Sequence, residues 1–145
     1  MMGILEAIWI KRAKGGPMDP VEHAELVQQK GIISNANQRG RRQVTIIELE
    51  TWKRLMHVLN ADLNPSTRRA NFMISGLSLL NSRGKILKIG ECRIKINGET
   101  KPCEQMETAL PGLLKQMWPD WQGGAFGEIL NDGSVSKGDA VSWEK

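Results

Sequence analysis

The sequence predicts a mainly β protein, a closed or partly closed β-barrel that carries two or three short helices. Three observations support this fold class. Short runs rich in Val, Ile and Thr recur along the chain, several with alternating apolar and polar residues. Glycine-containing turns separate these runs, and the 145 residues include 15 glycines. Only residues 48–59 and 108–117 have the character of helices.

The N-terminal part of the chain predicts strands. Residues 3–10 alternate as a strand does, and Gly15-Gly16-Pro17 ends that segment. Residues 18–30 fit either a short helix or an irregular strand, and we prefer the strand. Residues 31–40 are rich in Asn and Gly and therefore predict a loop.

A strand that passes directly into a helix is predicted next. Residues 43–47 form a compact Val/Thr/Ile run, which is typical of a strand. In residues 48–59 the apolar side chains recur at helical spacing: Leu49, Trp52, Leu55, Met56 and Leu59. Acidic residues open this segment and basic residues close it, an order that complements the helix dipole.

The central segment predicts a hairpin. Residues 86–89 are apolar, and residues 92–96 alternate so that Cys92 shares its face with Ile94 and Ile96. Core packing is therefore the expected role of Cys92. Asn97-Gly98 is a strong signal for a two-residue turn with positive φ, which predicts a return strand over residues 99–101.

The remaining elements follow from the same local patterns. In chain order we predict a turn at 64–67, a strand at 71–74, a helix at 108–117 with Pro111 in its first turn, a loop at 118–124, a strand at 125–130, turns at 131–133 and 135–139, and a strand at 140–143.

Length and composition limit the classes of protein. The chain is long enough for one domain with a core, and we expect residues 1–145 to form a single domain. No apolar run approaches the ~20 residues of a membrane helix and no leader opens the sequence, so a soluble cytoplasmic protein without a membrane partner is expected. Two cysteines and two histidines disfavour both a disulfide scaffold and a multi-histidine zinc site.

Positive charge is concentrated in residues 68–103. This segment has two acidic residues and eight basic ones: Arg68, Arg69, Arg83, Lys85, Lys88, Arg93, Lys95 and Lys101. Its formal net charge is +6, whereas the whole chain carries +4. A sequence pI near 9.3 indicates an anionic partner, such as phosphate on a cofactor or on nucleic acid.

Cys103 is the candidate functional cysteine. Pro102 has no N–H and should end strand pairing, so the thiol is expected at a strand end, where loops carry sites on a rigid scaffold. Nearby Lys and Arg favour the thiolate, which is both nucleophile and metal ligand. The alternative is an ordinary, partly buried thiol.

The ordered set of segments resembles the MOSC domain, the module named for the carboxy-terminal part of molybdenum cofactor sulfurase. The resemblance covers the chain from about Val21 onward and rests on five stretches in order: residues 42–47 (RQVTII), 68–76 (RRANFMISG), 89–92 (IGEC), 101–103 (KPC) and 127–141, which ends in KGDAV. The resemblance implies a barrel-like fold of the pyruvate-kinase-barrel type.

The resemblance also implies chemistry. Cys103 matches a cysteine that carries persulfide sulfur or ligates molybdenum, and Arg69 and Asn71 match residues that contact the phosphate region of the molybdenum pterin cofactor, molybdopterin. Arg42 and Lys101 are expected to help hold the phosphate. Family members include molybdenum-dependent reductases of N-hydroxylated compounds, so the implied function is such an oxidoreductase, or a sulfur or cofactor carrier, served by a separate electron-donor or sulfur-donor protein.

Elementary chemistry is consistent with this interpretation. Molybdenum accepts soft sulfur ligands, and one thiolate can complete a coordination sphere that the pterin dithiolene and oxo groups otherwise supply. Arg offers a bidentate fork for phosphate. Arg68 precedes Arg69 in a dibasic pair that would ordinarily lie on a solvated face, but the nearby Asn71 favours ligand contact.

The sequence departs from the family pattern in one loop, and one alternative function remains open. Many relatives have an Asp and a His after the first-loop glycine, whereas this chain has Ile32-Ile33-Ser34-Asn35 after Gly31, so any proton delivery must use other residues. The alternative function is a small basic β-barrel that binds nucleic acid. The chain has two Phe and no Tyr, a poor supply of base-stacking rings outside tryptophan, which disfavours that alternative.

Overall fold

The computed structural model of the protein describes residues 2–145, and most of its regular structure is β. The strands are β1 (Met2–Lys11), β2 (Met18–Val21), β3 (His23–Val27), β4 (Gly31–Ile32), β5 (Val44–Glu48), β6 (Phe72–Ser75), β7 (Ile86–Ile89), β8 (Cys92–Glu99), β9 (Ala125–Ile129), β10 (Gly133–Ser136) and β11 (Ala140–Trp143). The helices are α1 (Leu49–Val58), α2 (Glu104–Ala109), α3 (Leu113–Met117) and a 3-10 helix (Pro65–Arg68).

Seven strands close a barrel in the order β11-β7-β8-β9-β5-β6-β1, because β1 pairs in turn with β11. The long strand β1 makes this closure possible. Its first residues pair with β11, its middle pairs with β6 across an irregularity between Leu5 and Ala7, and its last residues pair with β2. Strands β10, β3 and β4 form a separate small sheet. The predicted barrel with short helices is confirmed.

The barrel interior is filled by apolar side chains. Leu5, Phe72, Ile74, Ile94 and Ile96 are among its fully buried members, in line with the period-2 patterns that predicted the strands. A second apolar cluster joins the three helices through Trp52, Leu55, Met56, Met106, Leu113 and Met117. The helices therefore pack on one another as a layer outside the barrel.

The predicted hairpin at Asn97-Gly98 is wrong. Strand β8 runs through both residues to Glu99, with a register shift against β9 between Ile96 and Gly98. Neither residue has the positive φ of the expected turn. The buried Asn97 is held in the sheet instead: its Nδ2 donates to the Arg41 carbonyl at 2.8 Å, and its own carbonyl accepts from Arg83 Nη1 at 2.8 Å.

The predicted helix over residues 108–117 is also wrong, because the chain forms two helices with a break between them. The first helix ends at Ala109, where Leu110 has an extended backbone. Pro111 cannot donate a backbone hydrogen bond, and Gly112, with a left-handed φ of 93°, precedes the first residue of the second helix. The Glu107 carboxylate stabilises the break by accepting from Gly112 N at 2.9 Å and from Leu114 N at 3.3 Å.

Other local predictions have mixed outcomes. The strand preference for residues 18–30 is confirmed by β2 and β3, and the predicted helix over 48–59 is α1. The predicted loop over residues 31–40 contains the short strand β4, and the predicted turns between 131 and 139 contain β10. No helix within residues 2–145 has the length and apolarity needed to cross a bilayer.

Candidate functional site

All six residues predicted for the site line one cavity of about 290 Å³. These residues are Arg42, Arg68, Arg69, Asn71, Lys101 and Cys103. The wall comes from the end of β1, from β5, from the connections that precede β6 and β9, and from the segment that follows β8. The barrel therefore brings together side chains that are far apart in the sequence, from Lys11 to Gln105.

Cys103 opens onto this cavity at the junction of β8 and α2. Pairing of β8 ends at Glu99, and Cys103 has extended backbone just before the first residue of α2. Its side chain is exposed, and its Sγ lies 3.9 Å from Gln105 Oε1. Placement of the thiol at a strand end agrees with the sequence, although the strand is β8 itself and not a return strand.

Cys92 is a different kind of thiol. Its side chain is 0% exposed in the barrel core, and both cysteines are unbridged. Burial, with smaller contributions from nearby carboxylates, raises the pKa of Cys92 to about 11. Of the two cysteines, only Cys103 is accessible to a ligand.

Arg68 fixes the part of the wall next to Cys103. Its Nε donates to the Gly123 carbonyl at 3.0 Å, and its Nη2 donates to the Thr100 carbonyl at 3.1 Å. The pKa of Arg68 is lowered, mainly because its guanidinium group is buried. The nearby Cys103 opposes this shift, and Arg42 adds to it. These shifts mean that Arg68 is within electrostatic reach of the thiol, while two of its donors are used to join the end of β8 to the loop before β9.

Arg69 faces a different part of the cavity. It follows the 3-10 helix with φ 63° and ψ 36°, a left-handed conformation that a non-glycine residue rarely adopts. Its Nη2 donates to the Gly16 carbonyl in the turn between β1 and β2. The guanidinium groups of Arg68 and Arg69 therefore bind carbonyl oxygens on different segments of the chain.

The side-chain amide of Asn71 makes its hydrogen bonds within the protein. Its side chain is 5% exposed, its Oδ1 accepts from Thr45 N at 3.1 Å, and its Nδ2 donates to the Trp9 carbonyl and to Asn35 Oδ1, both at 3.2 Å. Both amide hydrogens thus have protein acceptors. Asn71 connects β5, β1 and the 31–40 loop at the base of the cavity, so a ligand would meet an amide whose direction is already fixed.

Arg42 and Lys101 lie at the more exposed part of the wall. The Arg42 guanidinium stacks over the Phe126 ring, 4.7 Å from its centroid. Lys101 Nζ donates to the Trp118 carbonyl at 3.1 Å, lies 3.5 Å from Glu99 Oε1 and sits over the Trp118 ring. Both side chains are positioned beside the cavity by aromatic neighbours.

Sequence reasoning missed several residues that line the cavity: Lys11, Asn35, Asn37, Thr45 and Gln105. Lys11 ends β1, and its backbone N donates to Asn35 Oδ1 at 2.9 Å. No local pattern marks Lys11, because its place beside the site depends on the pairing of β1 with β2 and β6. Asn35 lies in the loop where many relatives have an Asp and a His. Its position in that loop could have identified it as a candidate site residue.

The cavity is electropositive. Five cationic side chains line it, those of Lys11, Arg42, Arg68, Arg69 and Lys101, and within residues 2–145 no carboxylate does. Such an arrangement favours an anionic ligand, and low-dielectric walls strengthen the attraction. The combination of one accessible thiol with this field suits a ligand that carries both a soft centre and an anionic group.

The donor set restricts how a metal could bind. Across residues 2–145 there is no group of three or more His, Cys, Asp and Glu side chains arranged to hold an ion. A metal at Cys103 would therefore take one ligand from the protein and the others from a cofactor. A cofactor with its own sulfur and oxygen ligands and a phosphate fits the residues present, with Cys103 as metal ligand and the cations as phosphate partners.

Fold and cavity define a class of protein, a small closed β-barrel with a single accessible thiol in a cationic recess. The model of the MOSC domain family matches residues 13–142. The chain belongs to the MOSC domain family.

Solved structures give the same fold at low sequence identity. The YuaD protein from Bacillus subtilis is 16% identical with a TM-score of 0.81, over 97% of this chain and 94% of that chain. YiiM from Geobacillus stearothermophilus is 16% identical with a TM-score of 0.76, over 99% and 75%. YiiM from Escherichia coli is 16% identical with a TM-score of 0.72, over 98% and 70%. No curated protein matches the sequence significantly.

Proposed function

We propose that this MOSC protein binds a molybdenum pterin cofactor, with Cys103 as molybdenum ligand or as the carrier of a persulfide. The observation that carries the proposal is the meeting of an accessible thiol and five cations in one cavity, to which residues 2–145 contribute no lining carboxylate. The MOSC family as a whole is associated with this cofactor, and the residues here fit it. When bound, the cofactor supplies the metal centre for oxidation and reduction.

The two ends of the ligand meet different chemistry. A thiolate at Cys103 is a soft ligand and a good sulfur acceptor, whereas Arg42 and Arg69 offer planar donors for phosphate oxygens. Asn71 contributes mainly by holding the wall, since both of its amide hydrogens have protein acceptors. Arg68 holds the wall with two of its five N–H donors and keeps the others for a ligand. The cofactor assignment thus needs few new contacts from the most buried residues.

A partner protein belongs to the same proposal. As a reductase of N-hydroxylated compounds, the protein would take electrons from a separate donor. As a sulfur carrier, Cys103 would receive sulfane sulfur from a persulfide on a donor protein, whose own thiol is then released. Either role places the protein in an aqueous compartment, and the cytoplasm is the one we propose.

The form of the cavity favours this proposal over nucleic-acid binding. A recess of about 290 Å³ is close to the ~300 Å³ lower limit of small-molecule pockets. The aromatic rings beside it, Phe126 and Trp118, are stacked by Arg42 and Lys101. These rings are therefore already covered by cations, and base stacking would have to displace them.

The test is to purify the protein from molybdenum-fed cells and to measure bound molybdenum and pterin. We expect Cys103→Ser to lose the metal, while Cys92→Ala, which removes the buried thiol, keeps it. A persulfide is measured separately as sulfur released by cyanide, and it should also depend on Cys103 alone. If the native protein and Cys103→Ser both contain neither metal nor pterin nor labile sulfur, the proposal fails.

A further inference from the structure

The outer face of the barrel carries cations on β7 and β8. Lys95 is exposed on β8 between the buried Ile94 and Ile96, and Lys88 on β7 lies directly opposite Arg93 of β8. The ion pairs found within residues 2–145 are Arg12–Asp19, Arg93–Glu144 and Lys101–Glu99. Of the cations on this outer face, Arg93 is thus neutralised by Glu144, whereas Lys88 and Lys95 belong to none of these pairs.

A recess of about 320 Å³ opens on this face, and we call it the outer recess. Arg41, Arg83 and Lys95 line it, together with a single carboxylate, that of Glu128. Arg83 is held in place because its Nη1 donates to the Asn97 carbonyl at 2.8 Å, which uses one of its five N–H donors. Three cations against one carboxylate make the outer recess a site for a negatively charged group.

The outer recess adjoins the cavity that contains Cys103. A Cβ at Gly98 would lie 2.9 Å from Arg83 Nη1 and 3.0 Å from Phe126 Cε1, so Gly98 leaves room for these two side chains to meet. The Phe126 ring is stacked in turn by Arg42, which lines the Cys103 cavity. A partner seated in the outer recess would therefore lie beside the accessible thiol.

The pattern of charge favours a protein as the partner over a nucleic acid. Glu128 is directly opposite Lys95 in the pairing of β8 with β9, so the face presents both signs of charge. A protein surface can match both signs, whereas a phosphate backbone would be repelled by the carboxylate. The Trp121 and Phe126 rings are covered by Arg83 and Arg42, which leaves them unsuited to base stacking.

We propose that the outer recess is the docking site of the donor protein, and that the donor presents a carboxylate-rich surface to Arg41, Arg83 and Lys95. This inference rests on the proposed function, because it assigns the surface at which the electron-donor or sulfur-donor protein meets the chain. Charged groups at such a surface act mainly on the rate of association and on its dependence on salt. The experiment therefore measures a rate at Cys103.

A synthetic peptide of about twelve residues, which spans ~40 Å when extended, takes the place of the donor. One half of the peptide carries glutamates, and a cysteine near its other end is joined to thionitrobenzoate in a mixed disulfide. The Cys103 thiolate attacks the peptide sulfur, a disulfide forms between Cys103 and the peptide, and thionitrobenzoate leaves as a coloured thiolate. A peptide with glutamines in place of the glutamates is the neutral probe, and Cys103→Ser should release no thionitrobenzoate.

Full-length protein from cells grown without molybdenum keeps the thiol free for this reaction. At low ionic strength the native protein should react about tenfold faster with the acidic peptide than with the neutral one, and salt should reduce this preference. Arg83→Ala/Lys95→Ala should reduce the preference to about twofold, while its rate with the neutral peptide stays within about twofold of native, as expected of a folded variant. Lys95→Glu, a single change at an exposed side chain, should lower the preference at least about threefold.

The matched control is Lys53→Ala/Lys115→Ala. It removes the same charge from exposed lysines of α1 and α3 that line neither the outer recess nor the cavity. The control should keep the preference of the native protein. Equal reduction in both double variants, or no reduction in Arg83→Ala/Lys95→Ala and Lys95→Glu, would overturn the docking site.

Two further outcomes separate this docking site from its alternatives. The reaction needs neither metal nor pterin, so protein that never contains the cofactor but keeps the Arg83- and Lys95-dependent preference would contradict the proposed function and support the docking site. Protein that binds the cofactor but reacts equally with both peptides would do the reverse. If a single-stranded oligonucleotide of about twelve nucleotides inhibits the reaction better than a cysteine-free acidic peptide, and through Arg83 and Lys95, the outer recess binds nucleic acid and the proposal is wrong.

Discussion

Arg68 and Arg69 are consecutive in the sequence, yet their guanidinium groups bind carbonyl oxygens in different parts of the chain. Arg68 reaches Gly123 and Thr100, and Arg69 reaches Gly16. A dibasic pair that would ordinarily suggest a solvated face therefore contributes to two walls of one cavity. Arg69 itself has a left-handed backbone, with φ 63°, a conformation that a non-glycine residue rarely adopts.

Arg68→Ala should destabilise the protein by roughly 1.5–3 kcal/mol, because the Thr100 and Gly123 carbonyls lose hydrogen bonds from a charged donor. Arg68→Lys should recover only part of this loss, since an ammonium group lacks the planar fork. Urea denaturation measures the free energy of unfolding. The control is Arg12→Ala, which breaks the exposed Arg12–Asp19 pair and should cost less than about 1 kcal/mol. Equal effects of the two alanine variants would contradict the role assigned to Arg68.

Gly123→Ala should disturb the segment that carries Cys103. An added Cβ at Gly123 would lie 2.1 Å from the Thr100 carbonyl oxygen and 3.2 Å from Arg68 Nη2. The end of β8 and the loop before β9 would have to move apart, which breaks the bond from Thr100 Oγ1 to the Gly123 carbonyl at 2.7 Å. We expect a loss of several kcal/mol in unfolding free energy. We also expect a changed rate of Cys103 alkylation, and a variant with native stability and native alkylation would show that the two segments are not tightly joined.

The contribution of Cys92 to stability should decrease at alkaline pH. Burial raises the folded-state pKa of Cys92 from 9.0 to about 11, so the unfolded thiol ionises first as the pH rises. The stabilisation is complete below about pH 9 and is lost as the pH rises through about 11. The difference in unfolding free energy between the native protein and Cys92→Ala should therefore shrink by roughly 1–2 kcal/mol from pH 8 to pH 10.5. A difference that stays constant over this range would contradict the prediction.

The sequence predicted correctly those strands and helices whose own residues have a clear apolar periodicity. Residues 43–47 and 48–59 have clear strand and helix periodicity, and the structure has β5 and α1 there. The predicted turn at Asn97-Gly98 is wrong because tertiary contacts determine the conformation there. Arg41 and Arg83 hold Asn97 in the sheet. A two-residue motif carries no information about such partners.

In the candidate site, too, residues within sequence motifs were predicted, whereas residues placed only by the tertiary fold were missed. The six residues predicted with the help of the family resemblance line one cavity, since their positions follow ordered motifs. Lys11 was missed because it lies outside those motifs, and only the register of β1 against β2 and β6 brings it to the wall. The role of Asn71 also depends on the fold, because its partners on Thr45, Trp9 and Asn35 come from three separate segments.

Asn71→Asp should be more destabilising than its small change in shape suggests. The Asn71 Nδ2 donates to the Trp9 carbonyl and to Asn35 Oδ1, and a carboxylate oxygen there would face two acceptors in a buried position. We expect a loss of about 3 kcal/mol or more in unfolding free energy at neutral pH, partly recovered in acid as the carboxylate is protonated. Asn71→Ala should cost about 1–3 kcal/mol at all pH values, because it leaves the same acceptors unpaired without adding a charge.

The control is Asn37→Ala, an exposed amide of the same cavity, which should change stability by less than about 0.5 kcal/mol. If Asn71→Asp is as stable as the native protein at neutral pH, the amide does not make these bonds in solution.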